Sequence, residues 1–397
     1  MKFTDFDLLP QSIKALKRQG IHSPTPIQEQ AIPLLLESHD VIGQARTGSG
    51  KTLAFALPMV EFVQPKERHV QALVITPTRE LANQIVDVIE TLVKDDGIRV
   101  LPVYGGRSIN PQITALKKGV QILVATPGRL VDLIQRKAVD LNQVIYAVVD
   151  EADEMLDCGF ARDVEKILTK LTGEHVTALF SATMPDWVQE ASKKYLYHPK
   201  TITIEPPPEQ EPKIEHFALR VGDGQRMDAL KSLLDEGHEQ EGTTIVFGRT
   251  KHGVRKLAKK LTGMGYEAQA LQGNMSQNAR DRVMQSFRDN NISVLVATNV
   301  AARGLDVDHV GLVINYELPE NAELLTHRVG RTGRMGREGI AYTIVADDDD
   351  KKWRQLKRGF QHSVKTVDWS GRSEGKVPRA PKTVGSRSRR GRRSRAR

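Results

Sequence analysis

The chain predicts an α/β protein of two domains, each built on a doubly wound parallel sheet. Three observations carry that expectation. Short apolar, β-branched runs alternate with turns and helical patterns over most of the chain; the proline-rich stretch EPPPEQEPK at 205–213 interrupts this rhythm, which then resumes; and 397 residues suit two domains, each large enough for its own core. The predicted organisation is a first domain over 1–204, a linker over 205–213, a second domain over 214–367 and a tail over 368–397.

The opening FTDFDLLPQSIKALKRQG has apolar residues at helical spacing and closes on Gly20, a C′ position. In IHSPTPIQEQAI, Pro24 and Pro26 force an extended entry to a helix that carries Gln28 on its first turn. An amide donates and accepts, so Gln28 can read the edge of an adenine; the alternative is a solvent-facing helix glutamine. Next comes VIGQARTGSGKTLA at 41–54, a strand, a glycine-rich turn and a helix. Ala45, Gly50, Lys51 and Thr52 take the places of GxxxxGK[ST], with an alanine where the first glycine is usual. Backbone N–H groups over Thr47, Gly48, Ser49 and Gly50 can converge on a phosphate, Lys51 can reach the β and γ phosphates, and the Thr52 hydroxyl can hold Mg2+.

Four runs follow, ALVIT (72–76), QILVAT (121–126), YAVVD (146–150) and TALFSAT (177–183). Ligands of such sheets sit beyond the carboxyl ends of the strands, which directs attention to PTRELA, TPGRL, DEADEM and SATMP. Asp150 would support Mg2+, and Glu151 would orient and deprotonate a water attacking the γ phosphate. The rhythm returns with TTIVFGRT (243–250), SVLVATN (293–299) and GLVINYELP (311–319), and SVLVATN resembles QILVATP as a distant internal repeat would. Because the second half has no GxxxxGK[ST], two similar domains are expected to clamp one nucleotide between them. His327 to Arg334, HRVGRTGR, spaces three arginines by three residues among glycines. Bidentate phosphate contact favours Arg331 and Arg334 as arginine fingers, with a basic RNA-contacting loop as the alternative. Asp347 to Asp350 ahead of Lys351 and Lys352 suits a helix macrodipole.

The net charge of +9 is concentrated: residues 371–397 hold eleven Lys or Arg against Glu374 alone. A nearly neutral body with a cationic, aromatic-free end reads as a folded enzyme with a disordered, polyanion-binding tail. No apolar run approaches the ~18 residues of a membrane span, and the start lacks the order of a signal peptide, so a cytoplasmic protein is expected. One cysteine, Cys158, excludes an intramolecular disulfide and a thiolate-rich metal cluster, and is expected to be a small buried residue.

From Phe3 to about Val345 the chain closely resembles the DEAD-box RNA helicases. The match runs through Phe3, seventeen residues before GIHSPTPIQ, then ARTGSGKT, PTRELA, Gly105-Gly106, TPGR, DEAD, SAT, IVFGRT, QNAR, ATNVAARGLD and HRVGRTGR, all in order. The resemblance implies two tandem RecA-like domains that use ATP and Mg2+. It implies that Phe3 stacks on adenine, Gln28 reads it and Asp306 contacts the ribose, while Ser181 and Thr183 couple the nucleotide to RNA binding. It also implies an RNA track along Pro77, Thr78, Arg79, Gly106, Thr126, Gly128 and Arg129 of the first domain. Arg249, Thr250, Gln277, Arg280 and Thr298 would continue it in the second. Asn299 departs from the usual Asp, Leu325 from a Tyr two residues before His327-Arg328, and Ile21 from an aromatic beside Gly20.

The function expected is therefore an RNA-dependent ATPase that unwinds short RNA duplexes or remodels RNA–protein complexes by ATP-driven closure of two domains. Alternatives are an ATP-dependent RNA clamp with little strand separation and, less well matched, a DNA translocase of the same architecture.

Overall fold

A computed structural model describes residues 1–46, 48–205, 213–237, 242–299, 309–333, 338–360 and 363–369. Thr47, the centre of the linker, Asp306, Arg334 and the tail from 370 lie outside the described residues. Two compact units make up the chain, one around each of two seven-stranded sheets, and Leu271–Ser286, which holds most of the helix after the tenth strand, groups with the first.

The first sheet contains β1 (Val41–Gln44), β2 (Ala72–Ile75), β3 (Val100–Val103), β4 (Ile122–Ala125), β5 (Tyr146–Val149), β6 (Val176–Ser181) and β7 (Lys200–Thr203), in the order β3-β4-β2-β5-β6-β1-β7. Each strand pairs in parallel with its neighbours. Successive side chains of a strand point to opposite faces, and here both faces are covered. Ala72 and Val74, Ile122 and Val124, and Tyr146 and Val148 enter one core. Their alternates Leu73, Ile75, Leu123, Ala125, Ala147 and Val149 enter the other. That two-sided burial explains the unbroken apolar runs of the sequence. At the base of β1 the buried Asp40 carboxylate accepts from the backbone N–H groups of Thr177 at 2.7 Å and Tyr197 at 2.6 Å, tying β1 to the segments entering β6 and β7.

The helices of this unit are α1 (Pro10–Arg18), α2 (Pro26–Leu36), α3 (Lys51–Phe62), α4 (Arg79–Leu92), α5 (Ile109–Lys117), α6 (Pro127–Gln135), α7 (Ala152–Asp157), α8 (Ala161–Leu168) and α9 (Asp186–Tyr195). Gly20 ends α1 as expected: it has φ 70°, its N–H reaches Lys17 O, and the Ile21 N–H reaches Leu16 O, the paired bonds of a Schellman cap. Cys158 departs from the expectation of a small buried residue, being only partly buried.

The second sheet contains β8 (Ile214–Val221), β9 (Thr243–Phe247), β10 (Ala268–Leu271), β11 (Val294–Ala297), β12 (Val310–Asn315), β13 (Gly339–Ala346) and β14 (Lys365–Asp368), in the order β10-β11-β9-β12-β13-β8-β14. Position by position this repeats the first sheet, and β4 and β11, the strands of the two similar heptapeptides, occupy the same place. Helices α10 (Arg226–Gly237), α11 (Lys251–Gly263), α12 (Gln277–Arg288), α13 (Ala322–Val329) and α14 (Asp350–Gly359) complete the described elements. β8 takes the position of β1, but the turn after it, Gly222-Asp223-Gly224, has neither the lysine nor the threonine of the phosphate loop. The aspartates at the start of α14 do more than suit a macrodipole: Asp349, at its N-cap, pairs with Arg226 at 2.6 Å, and Asp350, its first residue, with Arg220 at 2.9 Å. Among the described residues no helix is long and apolar enough to cross a membrane.

Candidate functional site

In the first unit β1, β6 and β5 are neighbours, so their carboxyl ends present three loops side by side; strands about 4.8 Å apart put the ends of β1 and β5 about 10 Å from each other. The loop after β1 is anchored by the Ala45 N–H on Ser181 O at 3.0 Å. It ends at Gly50, the N-cap of α3, whose φ of 94° favours glycine. A Cβ there would stand 2.5 Å from Gln28 Nε2 and 2.8 Å from Thr25 Oγ1, so the close approach also demands glycine. Gln28 holds this geometry: its Nε2 donates to Gly50 O at 2.9 Å and its Oε1 accepts from the Thr25 N–H at 3.0 Å. The amide thus engages the glycine-rich loop after β1, which composition alone does not reveal.

Lys51 opens α3 as its first residue, buried, with Nζ donating to Ala45 O at 2.9 Å. The hydroxyls of Thr25 and Ser49 are buried and lack a hydrogen-bond partner among the described residues. A buried ammonium, two spare hydroxyls and a helix N-terminus form a donor set that fits a polyphosphate. Thr52 follows Lys51 on the first turn. Phe3 is buried in the core of the unit, edge to face with Phe6 at 6.0 Å between ring centroids.

After β5, Asp150 is buried and its Oδ1 accepts from the Glu151 N–H at 3.0 Å. Burial raises the Asp150 carboxyl above its ordinary range, opposed by the positive charge of Lys51. A divalent cation at this carboxylate would favour its charged form, so the pair Thr52 and Asp150 fits Mg2+ chemically. Glu151 caps α7 with φ 53°, a conformation uncommon for a side chain of this size.

Asp153 is the residue that sequence reasoning passed over. Its Oδ2 accepts from both the N–H and the hydroxyl of Thr183 at 2.8 and 2.9 Å, and its own N–H donates to Ser181 Oγ at 3.2 Å. Ser181 Oγ in turn donates to Thr183 O at 2.6 Å. The loops after β5 and β6 are thereby one hydrogen-bonded piece. The signal was present, since Asp153 is the third acid of DEAD, but the roles assigned there stopped at Asp150 and Glu151.

The expected RNA contacts of the first unit also lie at strand ends. Thr78 caps α4, its Oγ1 accepting from the Leu81 N–H at 3.2 Å, with Pro77 before it and Arg79 after. Burial lowers the Arg79 guanidinium below the usual arginine range, and Gly106 lies directly against it. Thr126, Gly128 and Arg129 sit at the start of α6, where Arg129 Nη2 donates to Arg107 O at 3.0 Å.

The second unit repeats the device. Thr250 caps α11 through a bond from the Gly253 N–H at 3.0 Å, and the Arg249 N–H donates to Glu317 Oε2 at 2.6 Å. Gln277 begins α12, Arg280 lies one turn on, and Thr298 follows β11; by their contacts these three group with the first unit. Arg331 follows α13, its Nε directed to His327 O at 3.3 Å. Arg328, the first arginine of HRVGRTGR, is buried over the Phe247 ring at 5.1 Å and donates to Asn315 Oδ1 at 3.2 Å and Glu317 O at 2.7 Å. Burial pushes its guanidinium down to about 9, against the opposing charge of Glu317 and Glu320. Asn315 continues to Thr343 Oγ1 at 3.0 Å, which also meets His216 Nε2 at 2.8 Å. Arg328 is thus a framework residue of its unit.

Comparison with known proteins follows the same lines. Residues 25–191 match the DEAD/DEAH box helicase family model and residues 225–336 the helicase conserved C-terminal domain. The ATP-dependent RNA helicase CshA of Listeria monocytogenes is 46% identical over 344 residues, covering 87% of this chain and 66% of that protein. The DEAD-box ATP-dependent RNA helicase CshA of Bacillus subtilis is 43% identical over 356 residues, covering 90% of this chain and 72% of the relative. The chain therefore spans about two thirds of the length of these relatives. Among solved structures, S. cerevisiae Dbp5 bound to RNA and ADP BeF3 aligns with a TM-score of 0.80 at 32% identity, covering 92% of this chain and 95% of that one. A DEAD box protein from Methanococcus jannaschii aligns at 0.51 with 40% identity, covering 92% and 99%. Two parallel sheets of one strand order, the loops assembled on them and these matches lead to one conclusion: the chain belongs to the DEAD-box family of ATP-dependent RNA helicases.

Proposed function

We propose that this chain is an RNA-dependent ATPase that separates short RNA duplexes or strips proteins from RNA by closing its two units around ATP and a single strand. The observation that carries this reading is the Asp153 carboxylate, which locks the loop bearing Asp150 and Glu151 to Ser181 and Thr183. A change at the nucleotide is thereby transmitted to the segment after β6. Lys51 offsets charge on the β and γ phosphates, Glu151 accepts a proton from the attacking water, and Arg331 with Arg334 supplies positive charge as phosphate departs. Thr52 and Asp150 would hold Mg2+, whose charge helps to stabilise the developing phosphoryl charge. Phe3, Gln28 and Asp306 would bind the nucleoside. The strand-end groups Pro77, Thr78, Arg79, Gly106, Thr126, Gly128 and Arg129, with Arg249, Thr250, Gln277, Arg280 and Thr298, would follow the RNA backbone with little sequence preference. Two curated relatives named ATP-dependent RNA helicases and a relative solved with RNA support this assignment. A cytoplasmic location fits the same reading.

Two substitutions test it. Lys51→Ala should weaken nucleotide binding and abolish RNA-stimulated ATPase, whereas Glu151→Gln should retain ATP and hold RNA in a long-lived complex. Equal loss of ATP affinity in both would contradict the separate roles. If ATPase is stimulated by RNA but no duplex is separated, a clamp is the better description.

A further inference from the structure

We propose that the exposed face of α11 is a second RNA-binding surface, which extends the strand track beyond Arg249 and Thr250 by contact with the phosphodiester backbone. The helix is amphipathic: Val254, Leu257, Ala258 and Leu261 are buried, and the opposite side exposes Lys251, His252, Arg255, Lys256, Lys259 and Lys260. From Arg249 through Tyr266 there is no Asp or Glu. Among the described residues Arg255, Lys256, Lys259 and Lys260 take part in no ion pair.

A solvated helix face ordinarily mixes the two signs, because opposite charges four apart support the helix and like charges weaken it. Here Lys251 with Arg255, Arg255 with Lys259, and Lys256 with Lys260 are all like pairs at that spacing. Lys251 also stands at the positive end of the helix, where the macrodipole disfavours a cation. The arrangement weakens its own helix, and an anionic occupant reverses each of those terms. Its two rows, 251/255/259 and 252/256/260, advance about 6 Å per step, close to the rise of two nucleotides at about 3.4 Å each.

The occupant follows from what the face lacks. A protein interface needs apolar or aromatic anchors, and the exposed side of α11 has none before Met264 at its C-terminal cap. Insertion into a lipid surface needs the apolar face, which is packed inside the unit. A polyanion read through its backbone needs only the charges. Continuity with the proposed strand site comes from the N-terminus of α11, held by the Thr250 cap and the bond from the Arg249 N–H to Glu317. The inference rests on the reading of Arg249 and Thr250 as strand contacts.

The test uses the full chain and a variant with Arg255→Gln, Lys256→Gln, Lys259→Gln and Lys260→Gln, because glutamine keeps helix propensity while removing charge. Both are titrated across a salt series with a single strand just long enough for the strand track and with one extended by about six nucleotides, the span of an ~20 Å helix at 3.4 Å per nucleotide. The variant should melt at the same temperature as the unaltered chain or above it, and should keep its affinity for the short strand and its ATPase at saturating RNA. On the extended strand its slope of log K against log salt should flatten by about 2–3, at about 0.7 per phosphate lost, with at least a tenfold weaker affinity at low salt. An unchanged slope on the extended strand overturns the proposal, and so does an equal loss on both lengths. If the unaltered chain fails to bind the short strand, it is the strand-site reading that fails, and the slope difference on the extended strand still decides for or against α11.

Discussion

Thr183 gives both its backbone N–H and its hydroxyl to one oxygen of the Asp153 carboxylate, at 2.8 and 2.9 Å. Thr183→Val removes only the hydroxyl bond and keeps size and branching. A bond to a charged group contributes about 1.5–3 kcal/mol, so the first unit should lose stability of that order in urea titration. If the contact transmits the state of the nucleotide, duplex separation per ATP hydrolysed should also fall. A variant that loses stability but keeps this ratio would leave the contact a purely structural one.

Asp150 should oppose folding of the nucleotide-free chain at neutral pH. Burial raises its folded-state pKa above the unfolded value near 3.8, so the folded form binds the proton more tightly. The penalty is absent below the unfolded value, grows as pH rises and is complete above the folded one. Asp150→Asn, which retains the acceptor for the Glu151 N–H, should therefore raise the melting temperature at pH 7, by about 2–4 °C for each 1 kcal/mol relieved. The gain should vanish on acidification through the carboxylate range. A gain that persists unchanged at low pH would assign it to packing.

Gly50→Ala combines a φ of 94° with a methyl group 2.5 Å from Gln28 Nε2. Relief requires Gln28 to release Gly50 O, which loosens the phosphate loop. We expect at least a tenfold loss of ATP affinity and about 1–3 kcal/mol of lost stability. Isothermal titration together with thermal melting would measure both.

The two described arginines of HRVGRTGR should separate by assay. Arg328→Lys keeps charge but cannot hold Asn315, Glu317 O and the Phe247 face together, and should destabilise the second unit by about 2 kcal/mol or more. Arg331→Lys should leave stability within about 0.5 kcal/mol while depressing the rate of hydrolysis at saturating RNA. A catalytic defect in Arg331→Lys matched by equal unfolding would reject the finger role.

Much of this fold was legible because its interior strands are covered on both faces, so β2, β4, β5 and β11 appear as unbroken apolar runs. The edge strands were not: β7, β10 and β14 mix polarity because one flank meets solvent, and in β3, VLPV, a proline breaks the β-branched run. β8 and β13 lie in the interior yet carry His216 and Thr343, which interrupt the run and serve the hydrogen-bond chain to Arg328. At the site, motif spacing pointed to Lys51, Asp150 and Glu151 at strand ends. It could not show that Gln28 clamps Gly50, or that Asp153 reaches Thr183, because both depend on loops brought together across the sheet.

The place of β1 in its sheet has a consequence for how the protein is made. Its neighbours are β6 and β7, and Asp40 just before it is bonded to Thr177, 137 residues later in the chain. A ribosome delivers β2 to β5 before either partner of β1 exists, so the strand that launches the phosphate loop waits while a sheet without it grows. The first strand to emerge is among the last to be secured, and nascent chains ending before residue 181 should not retain ATP.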